Sequence, residues 1–174
     1  MTSELDLTIH PLSRQDGQVY TEMPGLYAAQ APFQPARGRL KETLVLHLAM
    51  DGNAPLPPRE HKKLITHLAD VYYKTPGSST TAMRQVADEL NDILIERNAR
   101  GENSLIQSAG LFTMAVFREG RLYFAQSGPT HAILVSAGGA KHFYLSDLAW
   151  RGLGVSRKPN IRFHQMDITP GDIF

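Results

Sequence analysis

Leu111-Phe112-Thr113-Met114-Ala115-Val116-Phe117, then Arg118-Glu119-Gly120, then Arg121-Leu122-Tyr123-Phe124-Ala125-Gln126 is the stretch that decides the fold. Two apolar runs of strand length meet at a charged turn ending in glycine, which predicts a tight antiparallel hairpin. The signal recurs downstream. His131 to Val135, the small-residue turn Ser136-Ala137-Gly138-Gly139, and Lys141 to Leu145 predict a second hairpin, and Ile161 to Ile168 a further strand.

Upstream of the hairpins the period changes. Leu64, Leu68, Val71 and Tyr72 recur at helical spacing between Pro58 and Lys74, with Arg59, Glu60, Lys62, Lys63 and Asp70 largely off that stripe. Thr75-Pro76-Gly77-Ser78 closes this helix, and Ser79 or Thr80 is placed to cap a second one, whose Met83, Val86, Leu90, Ile93 and Leu94 form another stripe up to Arg100-Gly101. Two amphipathic helices joined by a short polar loop lie antiparallel and turn both stripes onto one surface. Before them, Thr43 to Met50 is a compact apolar run that suits a strand buried on both faces, stopped by Asp51-Gly52-Asn53. Residues 1–42 are interrupted by Pro11, Pro24, Pro32 and Pro35 and read as an irregular segment with short strands at Gln18 to Tyr20 and Gly25 to Ala29. The order of strand, helix pair and several antiparallel strands predicts an α+β layered domain over 43–174, sharing one domain with 1–42. Leu68 and Leu90 are expected to be buried against the sheet.

Composition narrows the chemistry. The 174 residues are 42% hydrophobic and contain no cysteine, which excludes thiol catalysis, disulfides and thiolate metal sites and fits a reducing compartment. Eighteen Lys and Arg against seventeen Asp and Glu, interspersed rather than blocked, leave no footprint for a nucleic-acid backbone. Met1 to His10 carries Glu4 and Asp6 and lacks a secretory pattern, and no apolar run nears the ~20 residues of a membrane span. The expected location is cytoplasmic.

Asp51-Gly52 directly follows a buried strand, so its carboxylate projects from the end of the sheet while the glycine lets the chain turn and leaves its carbonyl accessible. That pairing suits a hard cation, and it equally suits a plain strand-ending turn. The seven histidines do not cluster into a zinc pattern, and His131, beside Gly128-Pro129-Thr130 at the opening of a strand, is the most notable of them. There is no Walker loop and no Gly-x-Ser-x-Gly elbow, and Gly152-Leu153-Gly154 does not open a helix. Trp150, Phe143 and Tyr144 read as core or interface.

Taken in order, the apolar strand ending in Asp51-Gly52, the helix pair, Ala109-Gly110-Leu111, Gly120 to Gly128, Leu145-Ser146, Leu153-Gly154 and Pro170-Gly171-Asp172 resemble the PPM-type (protein phosphatase 2C-like) metal-dependent phosphatase domain. The resemblance covers about Thr43 to Phe174 and is strongest at Gly120 to Gly128, which is similar to the family's "GRLYVANVGDSR" hairpin. It implies an α-β-β-α arrangement, a two-layer antiparallel β-sandwich with helix pairs packed outside, incomplete here at the C-terminus. It also implies a centre for Mg²⁺ or Mn²⁺ at one end of the sandwich, with Asp51 as the bridging carboxylate and Gly52 supplying a backbone carbonyl.

Against that pattern, Asn53-Ala54-Pro55 replaces "HGG", Ala28 to Ala36 contains no acid pair, and Pro129 stands where the "GDSR" acid belongs, with Thr130 and His131 after it. One carboxylate and one carbonyl are a poor donor set for two dications, so the resemblance implies a weak or absent metal centre and no catalytic residues. The expectation is an impaired domain acting as a regulatory or protein-binding scaffold, with a protein partner or phosphoprotein as its ligand. The alternative is an active Mg²⁺- or Mn²⁺-dependent protein serine/threonine phosphatase within a longer chain.

Overall fold

The computed structural model describes residues 7–52, 56–100, 108–144 and 152–174; Asn53-Ala54-Pro55, Leu145-Ser146 and Trp150 lie outside them. The elements in chain order are β1 (Ser13–Gln15), β2 (Gln18–Tyr20), β3 (Leu26–Gln30), β4 (Thr43–Gly52), α1 (Pro58–Lys74), α2 (Ser79–Arg100), β5 (Ser108–Arg118), β6 (Arg121–Ser127), β7 (Ala132–Ser136), β8 (Gly139–Phe143) and β9 (Arg162–Asp167). An antiparallel sheet in the order β3-β4-β5-β6-β9 is central, and β1-β2 and β7-β8 pair separately. The Glu-Gly turn behaves as its sequence predicts: Arg118 pairs with Arg121, and Glu119 and Gly120 both take positive φ, 48° and 77°, as a two-residue hairpin of matching twist requires.

The helix pair covers one face of the sheet. Leu44, Leu46 and Leu48 of β4 and Phe112, Met114 and Val116 of β5 meet Ile65, Leu68 and Tyr72 of α1 and Met83, Val86, Leu90 and Leu94 of α2. Leu68 and Leu90 are fully buried, as expected. Across the opposite face, Ala115, Leu122 and Phe124 pack against Leu134 and Phe143 of the β7-β8 hairpin, with the Phe124 and Phe143 rings edge to face at 4.9 Å. The layers among the described residues are therefore helix pair, five-stranded sheet and hairpin. Ile173 extends the hairpin layer by bridging to Val135 through hydrogen bonds of 2.8 and 2.9 Å.

Three local readings shift. β4 buries only its helix-facing side; Val45, His47 and Ala49 on the other side are half-buried, because the hairpin packs farther along the sheet, on β5 and β6. The buried stripe of α1 is Ile65, Leu68, Ala69, Tyr72 and Tyr73, with Leu64 and Val71 at its margin. The helix is rotated toward its tyrosines because both hydroxyls find buried acceptors: Tyr72 donates to Glu42 Oε2 at 2.7 Å, and Tyr73 to the carbonyls of Ala29 and Glu42 at 2.7 and 2.9 Å. The cap of α2 is Ser78, whose Oγ accepts from the Thr81 amide at 3.1 Å. Ser79 is buried and instead donates to Glu42 Oε1 at 2.7 Å.

Those tyrosine and serine bonds belong to an enclosed ion pair. Arg39 and Glu42 are 0% and 2% exposed, and Arg39 Nη1 lies 3.1 and 3.0 Å from the two carboxylate oxygens. Arg39 also donates to the carbonyls of Thr75, Gly77 and Ser78. The pair thus ties the turn between the helices to the start of β4, and it fixes how the helix pair sits on the sheet.

Candidate metal centre

The strands deliver one carboxylate to the end of the sheet. Asp51 and Gly52 close β4 opposite Ala109 and Ser108 at the start of β5, and both are exposed; Gly52 takes φ 112°, a conformation that suits glycine. On the next strand, Ser127 pairs with Phe112 and is followed by Gly128-Pro129-Thr130. Ser127 Oγ is committed to the Asn160 carbonyl at 2.6 Å. Gln126 Oε1, near the end of β6, and Thr130 Oγ1, in the turn after it, are buried without a hydrogen-bond partner.

Gly152-Leu153-Gly154 closes the same region. Leu153 and Gly110 exchange backbone hydrogen bonds of 2.8 and 2.9 Å. Both glycines have φ of +89°, and neither has room for a side chain: a Cβ on Gly152 would lie 2.6 Å from the Gly110 carbonyl oxygen, and one on Gly154 2.5 Å from Leu94 Cβ. The Gly-Leu-Gly is a close-approach device between chain segments.

Two asparagines of α2 hold these segments in place. Asn91 Oδ1 accepts from the Gly154 amide at 2.8 Å while its Nδ2 donates to the Ser156 carbonyl at 2.9 Å. Asn98, two turns along, donates from Nδ2 to the carbonyls of Ser108 and Gly154, both at 2.9 Å, and accepts from the Ser108 amide at 3.0 Å. They fix the start of β5, and so the strand against which Asp51-Gly52 ends. Sequence reasoning passed over both. Their available signal was the seven-residue spacing, which returns a side chain to almost the same face of a helix, beside Leu90 and Leu94.

As a cation site, this region offers the Asp51 carboxylate, the Gly52 carbonyl and neutral hydroxyls. Among the described residues no three Asp, Glu or His side chains are grouped to hold a metal ion; Glu102 and Asp147 lie outside those residues. Asp172, of the Pro170-Gly171-Asp172 signature, is occupied in its own turn, where Oδ2 accepts from the Thr169 amide at 2.8 Å. The donor set present does not fit a two-dication centre, which needs several anionic oxygens. His131, singled out by position, lies on the β7-β8 layer with Nδ1 3.0 Å from His142 Nε2.

No family model and no curated protein matches the chain in sequence. Solved structures do match its architecture. An S. agalactiae serine/threonine phosphatase superposes with a TM-score of 0.62 at 12% identity, over 92% of this chain and 75% of that one. The fold is that of the PPM-type phosphatases. PppA, described as a key regulatory component of T6SS in Pseudomonas aeruginosa, matches with a TM-score of 0.56 at 11% identity over 87% of this chain and 69% of that one. The catalytic domain of the serine/threonine phosphatase PstP, solved with 2 manganese ions, gives 0.56 at 16% identity over 84% and 74%. The PPM-type architecture accounts for the helix pair, the long antiparallel sheet and the sheet end at Asp51-Gly52.

Proposed function

We propose that this chain is a PPM-type phosphatase-like domain with impaired chemistry, serving as a regulatory or protein-binding scaffold in the cytoplasm, with a protein partner or phosphoprotein as its ligand. The observation that carries the reading is the donor set at the sheet end. Asp51 and the Gly52 carbonyl close β4, and the turn after β6, two strands across the sheet, carries Pro129 and Thr130 rather than an acid. Two dications bring four positive charges, and a single carboxylate neutralises a quarter of them. A phosphate monoester, itself anionic, then has no concentrated positive field to bind against.

A second reading, a working Mg²⁺- or Mn²⁺-dependent phosphoprotein phosphatase, draws support from the fold shared with the manganese-bearing PstP domain. A phosphatase assay with Mn²⁺ on a phosphothreonine peptide separates the two. The scaffold reading predicts release of phosphate at the rate of the protein-free control. Turnover that Asp51→Asn abolishes overturns it.

A further inference from the structure

We propose that His131 and His142 form a binding site for a borderline-soft transition-metal dication such as Zn²⁺, Cu²⁺ or Ni²⁺, separate from the Asp51 sheet end and selective against Mg²⁺ and Mn²⁺. The hairpin register brings the two residues together. Ser136 pairs with Gly139 across a two-residue turn, Ile133 with His142 and Ala132 with Phe143, which leaves His131 one step beyond, on the same face as His142 and Tyr144. Phe143 points the other way, into the core against Phe124, so packing on the inner face fixes which side chains the outer face presents.

The ring geometry brings two imidazole nitrogens to the separation that one metal ion spans. His131 Nδ1 and His142 Nε2 are 3.0 Å apart, while the ring centroids are 5.2 Å apart and the planes differ by 12°. The excess of the centroid separation over the N···N distance is about two ring radii, so the nitrogens lie on the line between the centroids and the rings meet edge to edge, nearly in one plane. Each nitrogen's in-plane direction therefore points at the gap, where a single proton is now shared as an N–H···N bond. With Zn–N bonds of about 2.0–2.1 Å, a tetrahedral N–Zn–N angle sets the nitrogens about 3.3 Å apart and a right angle about 2.9 Å apart. The observed 3.0 Å lies inside that span, so a turn of each exposed ring by about 35–45° aims both nitrogens at one metal and exchanges the proton for it.

The Tyr144 ring stacks on His131 at 4.0 Å with planes 10° apart, which holds the His131 plane before any metal arrives. Imidazole nitrogen selects zinc, copper and nickel, whereas Mg²⁺ and Mn²⁺ prefer the oxygen ligands this pair lacks. Water completes the coordination of a site this exposed.

The test is a Zn²⁺ titration of the full chain by calorimetry, in wild type, His131→Gln, His142→Gln and Asp51→Asn, with Mn²⁺ as the contrasting ion. The expected result is a one-to-one Zn²⁺ isotherm in wild type, kept in Asp51→Asn and weakened at least tenfold in each histidine variant, with no matching Mn²⁺ isotherm. Cu²⁺ bound to wild type is expected to show two-nitrogen hyperfine coupling, reduced to one nitrogen in either variant. A Zn²⁺ isotherm unchanged in His142→Gln overturns the proposal, as does one lost in Asp51→Asn.

Discussion

Glu42→Gln is expected to be among the most destabilising single changes in the molecule. The carboxylate accepts from Arg39 at 3.1 and 3.0 Å, from Tyr72 at 2.7 Å and from Ser79 at 2.7 Å, all out of contact with water. The amide keeps one acceptor, turns its NH₂ toward donors and leaves the Arg39 guanidinium enclosed without a counter-charge. Breaking a buried pair from one side costs about 3–5 kcal/mol. Against a total stability on the order of 5–15 kcal/mol, that loss is decisive. Urea unfolding followed by circular dichroism reads it directly. The Arg39→Met, Glu42→Leu double variant removes both charges together but also takes the partners from the Tyr72 and Ser79 hydroxyls and the Thr75, Gly77 and Ser78 carbonyls, so it is expected to remain destabilised rather than near neutral. A Glu42→Gln cost below about 1 kcal/mol, the value of an exposed pair, refutes the reasoning.

Leu90→Ala, at a fully buried position of α2, is expected to cost about 2–5 kcal/mol in the same urea assay. Asn98→Ala removes the side chain that bonds the Ser108 amide and the Ser108 and Gly154 carbonyls, and is expected to cost about 1–3 kcal/mol; hydrogen exchange is expected to speed up at the Ser108 amide before the rest of β5. Burial holds the His47, His61 and His164 imidazoles below the ordinary 6.5, with His61 adding to the effect on His47 and the cations Lys141 and Arg162 to that on His164. The unfolded chain then takes up more protons as pH falls through 6.5, so stability is full above that value and declines below it until the folded-state histidines also titrate. Urea midpoints measured from pH 7.5 down to 5 are expected to fall, less steeply in His47→Gln.

What the sequence made legible was whatever repeats or breaks a pattern. The Glu119-Gly120 turn needs two positive φ values, and glycine in the second place announces it. The apolar residues of α2 repeat with the helix, and Met83, Val86, Leu90 and Leu94 land in the core where their spacing puts them. The features that were not legible are polar residues doing buried work. Arg39 and Glu42 look like a solvated pair in a loop, and only the arrival of Tyr72, Ser79 and three carbonyls from distant positions encloses them. Asn91 and Asn98 look like ordinary helix-surface residues, because the backbone groups they satisfy come from elsewhere in the chain. The one-residue rotation of the α1 stripe has the same origin, since tyrosine hydroxyls reach acceptors that no periodicity displays. At the sheet end, the Asp51-Gly52 ending was legible as a turn after a strand. Whether such an ending can ligate a cation depends on how many other carboxylates converge there, which no spacing along one strand reveals.

The central claim is that a PPM-type fold here retains the sheet end without a working metal centre. Thermal melts of wild type and Asp51→Ala, each with Mn²⁺ and with chelator, test it most directly, because an ion that binds only the native state raises stability by about 2.7 kcal/mol at a hundred times its Kd. The account predicts that Mn²⁺ leaves the wild-type melting temperature where chelator leaves it, and that Asp51→Ala responds in the same way. A Mn²⁺-dependent rise of several degrees in wild type, absent from Asp51→Ala, would contradict it.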